Sequence, residues 1–134
     1  MRCQGTTIPA RKLVLIEDNL DLRTCFRRVL SHAGYEVLTA RDGEEGLSMV
    51  RECHPDLILL DMLLPKRSGL EVLRAVKADP ATAPIPVLVL SNLQHSKDCQ
   101  VLLEGAAEYI VKSHLTDGDE LIVAVERVLR AAQL

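Results

Sequence analysis

Five apolar runs of strand length alternate along the chain with stretches of helical period, and this alternation narrows the fold more than any other feature. Residues Lys12 to Ile16, Glu36 to Thr39, Leu57 to Leu60, Pro86 to Leu90 and Glu108 to Val111 read as strands. Between and after them, Leu20 to His32, Glu44 to Cys53, Leu70 to Ala78, Ser96 to Glu104 and Gly118 to Ala132 read as helices. Three of the strand runs are almost continuously apolar, which is expected of central parallel strands covered by helices on both faces. Joined by right-handed crossovers, the alternation predicts an α/β sandwich, a doubly wound five-stranded parallel sheet with five helices.

Local signals support these boundaries. Gly34 closes the first helix and Gly105 the fourth, as C-terminal glycines do. Pro55, Pro65, Pro80, Pro84 and Pro86 fall at or near element ends, where a missing N–H is tolerated. The last helix places Leu121, Val125, Val128 and Leu129 on one face, with Glu126, Arg127 and Arg130 largely elsewhere. Residues 1 to 10 read as a flexible tail ahead of one domain spanning 11 to 134.

At 134 residues and 48% hydrophobic content, the chain can bury the core of one domain and has no room for a second. A net charge of −3, no basic cluster interleaved with aromatics and only 2% aromatic residues argue against nucleic-acid binding. The first ten residues lack a secretory apolar core, and no apolar stretch approaches a membrane span, so a cytoplasmic location is expected. Cys3, Cys25, Cys53 and Cys99 show neither a CxxC pair nor zinc-finger spacing. They read as reduced structural thiols, with Cys25 and Cys53 expected as small buried hydrophobes within helices.

The chemistry gathers at strand ends. Glu17 and Asp18 follow Leu13 to Ile16, Asp61 follows Leu57 to Leu60, and Ser91 and Lys112 stand just past two further apolar runs. In an open parallel sheet the carboxyl ends share one crevice, so acids far apart in sequence converge there. Three carboxylates so placed suit a hard divalent cation such as Mg2+, which prefers oxygen ligands and retains water. Each residue alone also has a plainer reading: Asp18 as a helix cap, Ser91 as a turn residue, Lys112 as a solvated lysine and Tyr109 as a half-buried strand tyrosine. Asp61 is harder to dismiss, because an acid closing so apolar a strand faces desolvation unless a metal or water meets it.

The acidic pair in LVLIEDN, Asp61 in DLILLDMLLPKRSG, Ser91 in VLVLSN and Lys112 in AAEYIVKS occur in order at successive strand ends. From about residue 11 to residue 132 the chain resembles the receiver domain of two-component response regulators. The resemblance implies a flavodoxin-like sheet of order 2-1-3-4-5 and a phosphoryl group accepted on Asp61 from a sensor histidine kinase or histidine phosphotransfer protein. It further implies Mg2+ or Mn2+ held by Glu17, Asp18, Asp61 and the backbone carbonyl of Leu63, with Ser91 and Lys112 on the phosphoryl oxygens. Tyr109 aligns with the aromatic switch, which would reshape the surface of the Ser96 to Glu104 helix, the Glu108 to Val111 strand and the last helix for an unknown downstream target. A homodimer through the last helix and strand is compatible but not selected over a monomer. With no output domain after Leu134, a complete chain would signal by docking or serve in a phosphorelay, and a longer parent would carry its output elsewhere.

Three positions depart from the family pattern. Glu17 replaces the commoner Asp, Asn92 stands where Ala or Gly is usual, and Ser113 follows Lys112 where most members have proline. Asn92, directly after Ser91, is expected to alter access to Asp61 and the lifetime of the phosphorylated form. A degenerate receiver acting as a phosphorylation-independent scaffold is the alternative, against which all five site residues are present. A phosphohydrolase on the same fold would need a general acid two residues after Asp61, where Leu63 stands, so turnover of a small substrate is not expected. His32, His54, His95 and His114 read as surface histidines.

Overall fold

The computed structural model describes residues 10–62, 64–91, 104–112 and 118–132. The strands are β1 (Lys12–Ile16), β2 (Glu36–Ala40), β3 (Leu57–Asp61), β4 (Val87–Ser91) and β5 (Glu108–Val111), and the described helices are α1 (Leu20–His32), α2 (Gly43–Cys53), α3 (Gly69–Ala78) and α4 (Gly118–Ala132). All neighbouring strands are parallel, in the order β2-β1-β3-β4-β5. Most of the helix expected over Ser96 to Glu104 lies outside the described residues.

Alternation of side chains along each strand divides the apolar residues between two cores. Val14, Ile16, Ile58, Leu60, Val87 and Val89 point to one face, against Leu47 and Val50 of α2 and Val72, Leu73 and Val76 of α3. On the other face, Leu13, Leu15, Leu57, Leu59, Leu88 and Leu90 meet Phe26 and Leu30 of α1 and Leu121, Val125, Val128 and Leu129 of α4. No residue of the central β3 is exposed, which is why its sequence is apolar at every position before Asp61. Full burial of each such leucine contributes about 1.5–3 kcal/mol.

The starts of α1, α2 and α3 rest on side-chain caps. Asn19 Oδ1 accepts from Leu22 N at 3.0 Å, Asp42 Oδ1 accepts from Glu45 N at 2.8 Å, and Ser68 with Glu71 forms a reciprocal capping box. α2 and α3 begin at Gly43 and Gly69, one residue earlier than apolar periodicity indicates, because the caps rather than the first apolar residues set their starts. β4 is likewise displaced by one residue from the predicted Pro86 to Leu90. Gly34, at φ +102°, supplies the left-handed turn after α1 that a side chain would strain.

The thiols correct one expectation. Cys25 is exposed and Cys53 is half-buried, both free. Phe26 and Leu30 form the inward stripe of α1, and one residue back from Phe26 a helix has turned by roughly 100°, which carries Cys25 toward solvent. His32 and His54 are exposed, as expected, whereas His95 and His114 lie outside the described residues.

Candidate functional site at the carboxyl ends of the strands

Strand order assembles the site. β1 and β3 are neighbours with Ile16 opposite Leu60, so Glu17 emerges beside Asp61. Asp61 pairs with Leu90 and Ser91 with Val111, which aligns Asp61, Ser91 and Lys112 along the same edge. The turn after β3 is drawn tight: Gly69 N donates to Met62 O at 2.9 Å, and a Cβ at Gly69 would lie 2.3 Å from Asp61 O. Only glycine allows α3 to start this close to the strand that carries Asp61.

One carboxylate oxygen from each of Glu17, Asp18 and Asp61 lies within 4.8 Å of the others. At that spacing each pair of ionised groups repels by about 3 kcal/mol or more at an effective dielectric of about 20. Lys112 supplies the compensating charge, with its Nζ 2.5 Å from Glu17 Oε1 and 3.2 Å from Asp61 Oδ2. The pairing is sheltered, since the side chains of Glu17, Asp61 and Lys112 are 1%, 8% and 8% exposed. Such burial is tolerated because each charge faces an opposite one.

The remaining Glu17 oxygen, Oε2, accepts from Asn19 N at 3.1 Å, and the Arg23 guanidinium donates through Nη1 to the carbonyls of Glu17 at 2.9 Å and Asp18 at 3.4 Å. The Asp18 side chain faces solvent, while Ser91 is fully buried at the end of β4. Tyr109 is half-buried on β5 and packs against the α2 and α3 core. Leu63, Asn92 and Ser113 lie outside the described residues.

The structure thus brings together Glu17, Asp18, Asp61 and Lys112 as the strand-end pattern anticipates. The contacts of Arg23 were not anticipated, because nothing in the sequence separates it from its neighbours Arg27 and Arg28. The donor set is all oxygen, two of its carboxylates are sheltered, and the third opens to water, which fits a hard divalent cation that keeps part of its hydration shell.

Comparison with known proteins agrees with this geometry. The profile of the response regulator receiver domain matches residues 13–126, and the chain belongs to that family of two-component signal-transduction domains. It is 38% identical over 122 residues to the transcriptional regulatory protein AfsQ1 of Streptomyces coelicolor, covering 90% of this chain and 52% of that protein. The chain therefore spans about half the length of that relative. With the polar-differentiation response regulator DivK of Brucella ovis the identity is 38% over 103 residues, 76% of this chain and 84% of DivK. Among solved structures, the chemotaxis response regulator CheY4 of Vibrio cholerae superposes with a TM-score of 0.82 at 28% identity, covering 89% of this chain and 98% of CheY4. Among the described residues, no helix is long and apolar enough to cross a membrane.

Proposed function

We propose that this receiver accepts a phosphoryl group on Asp61 from a phosphohistidine of a sensor kinase or phosphotransfer protein, and that the modification changes which protein it binds. The observation that carries this reading is the placement of Asp61 within 4.8 Å of two further carboxylates and 3.2 Å from the Lys112 ammonium. An Asp61 oxygen attacks phosphorus as the bond to the donor imidazole breaks, leaving that electron pair on the ring nitrogen. Lys112 already contacts Asp61 and neutralises phosphoryl charge as a point cation, and the Ser91 hydroxyl donates to another phosphoryl oxygen. Glu17, Asp18, Asp61 and the Leu63 carbonyl would hold Mg2+ or Mn2+, which supplies charge neutralisation between the acceptor and the incoming phosphate. Tyr109 follows Ser91 and remodels the surface that includes β5 and α4, where a downstream protein docks. Asn92 sets the lifetime of the phosphorylated form.

The test is intact-protein mass spectrometry after incubation with acetyl phosphate, with Mg2+ or with chelator, on wild type and Asp61→Asn. A Mg2+-dependent gain of one phosphoryl group, lost in the variant, is expected. An equal gain in Asp61→Asn would overturn the assignment of Asp61. No gain in a folded chain that binds Mg2+, repeated with a phosphohistidine protein as donor, would favour a phosphorylation-independent scaffold.

A further inference from the structure

We infer that Arg23, a residue of α1 that touches neither acceptor nor phosphate, is a positioning residue for the cation site. The inference rests on the metal reading above. Glu17 and Asp18 occupy the short connection between β1 and α1; Glu17 N still donates to Ala40 O of β2 at 3.0 Å, while the first helical bond is accepted only by Asn19 O. A single guanidinium nitrogen of Arg23 donates to both of their carbonyls, at 2.9 and 3.4 Å. The backbone N of the same residue donates to Asn19 O at 2.9 Å, so Arg23 joins the first turn of α1 to the two peptide planes that aim the acidic side chains.

Glu17 has a second source of order, because Lys112 and Asn19 N hold its two oxygens. Asp18 is different, with a side chain exposed to solvent. Its direction is set by its backbone, and its backbone carbonyl is one that Arg23 grips. Partners behind metal ligands act in this way elsewhere, and losing one commonly weakens metal affinity by about 10- to 100-fold.

The sign of the effect separates positioning from charge. As a cation beside the acidic loop, Arg23 opposes a divalent ion electrostatically, so deletion acting through charge alone would tighten Mg2+ binding. Deletion acting through lost positioning loosens it.

The experiment is calorimetric titration of MgCl2 into the full chain at fixed ionic strength, for wild type, Arg23→Lys and Arg23→Ala, with circular dichroism to verify folding. The Kd of Arg23→Ala should rise about tenfold. Arg23→Lys, which keeps the charge but not the planar fork, should fall between that variant and wild type. Acetyl phosphate uptake by Arg23→Ala should return to the wild-type rate once Mg2+ saturates. A Kd for Arg23→Ala equal to or below that of wild type overturns the inference while the metal reading stands. If Arg23→Ala does not fold, a folded Arg23→Lys with wild-type Kd overturns it equally. Absence of Mg2+ uptake by wild type, read by calorimetry and by Mn2+ paramagnetic broadening, overturns the metal reading and this inference together.

Discussion

At the carboxyl end of the sheet, Lys112 meets Glu17 and Asp61 with all three side chains nearly sealed from solvent, whereas at the amino end of β5 the Arg127–Glu108 pair is open to water. There Arg127 forks onto Glu108 through two nitrogens, with its side chain 56% exposed. Each cation has two contacts, Arg127 with both oxygens of one carboxylate and Lys112 with one oxygen of each of two, and the inner cluster has the greater consequence. In high dielectric the Coulomb gain is small and two long side chains must be ordered to collect it. In the buried cluster, removing one member leaves charges that water cannot reach. The number of contacts alone would not separate the two ends.

Lys112→Ala offers the hardest test of that contrast. It should cost about 3–5 kcal/mol of unfolding free energy in urea with chelator present, because Glu17 and Asp61 keep their burial and lose their cation. A loss under about 1 kcal/mol would mean that the cluster is hydrated, and the two ends would then be alike. Gly69→Ala tests the backbone side of the same end. Its Cβ would lie 2.3 Å from Asp61 O, so an overpacking penalty of about 1–3 kcal/mol is expected, with phosphoryl uptake falling as Asp61 is displaced. At the other end, Arg127→Ala should change stability by about 0–1 kcal/mol, and less in high salt. A larger, salt-insensitive loss would show that the outer fork is also shielded.

The smallest effect concerns pH. Lys77 on α3 donates to Ala83 O at 2.9 Å and Ile85 O at 3.0 Å, and partial burial lowers its pKa from the ordinary 10.5. The folded chain therefore releases this proton at lower pH than the unfolded chain. Between the lowered value and 10.5 the unfolded state binds more protons, so the Lys77 contribution to stability rises with pH. Lys77→Met should flatten that rise in urea titrations that stop about one unit short of the ordinary tyrosine value of 10.0, where Tyr35, raised further by burial in the folded chain, stays protonated in both states. An unchanged slope would remove Lys77 from the alkaline behaviour.

Much of the fold was legible because the local and global signals agree. β1, β5, α1 and α4 have the residues that periodicity predicts, since each presents a clear apolar pattern. Placement of Glu17, Asp18, Asp61 and Lys112 at strand ends was legible for the same reason. The Lys112 to Glu17 contact was not, because it depends on how far a flexible lysine side chain reaches along the strand ends. The exposure of Cys25 was missed because helix membership does not specify a face, and Phe26 takes the inward position beside it. The Arg23 contacts were not legible, since they depend on a guanidinium folding back onto the preceding loop, which residue type and spacing do not encode.

Glu17 and Lys112 lie 95 positions apart, so their contact closes nearly the whole domain into a loop. Closing a loop of that length costs entropy before it returns any bonding. The carboxylates of Glu17, Asp18 and Asp61 can converge once β1 and β3 have paired, but the ammonium arrives only when β5 docks on β4. A chain arrested before its last strand is added carries three mutually repelling acids without their cation. The Lys112 ammonium therefore reaches Glu17 and Asp61 only in a sheet that has its final strand, and a sheet left one strand short keeps its acidic cluster without that cation.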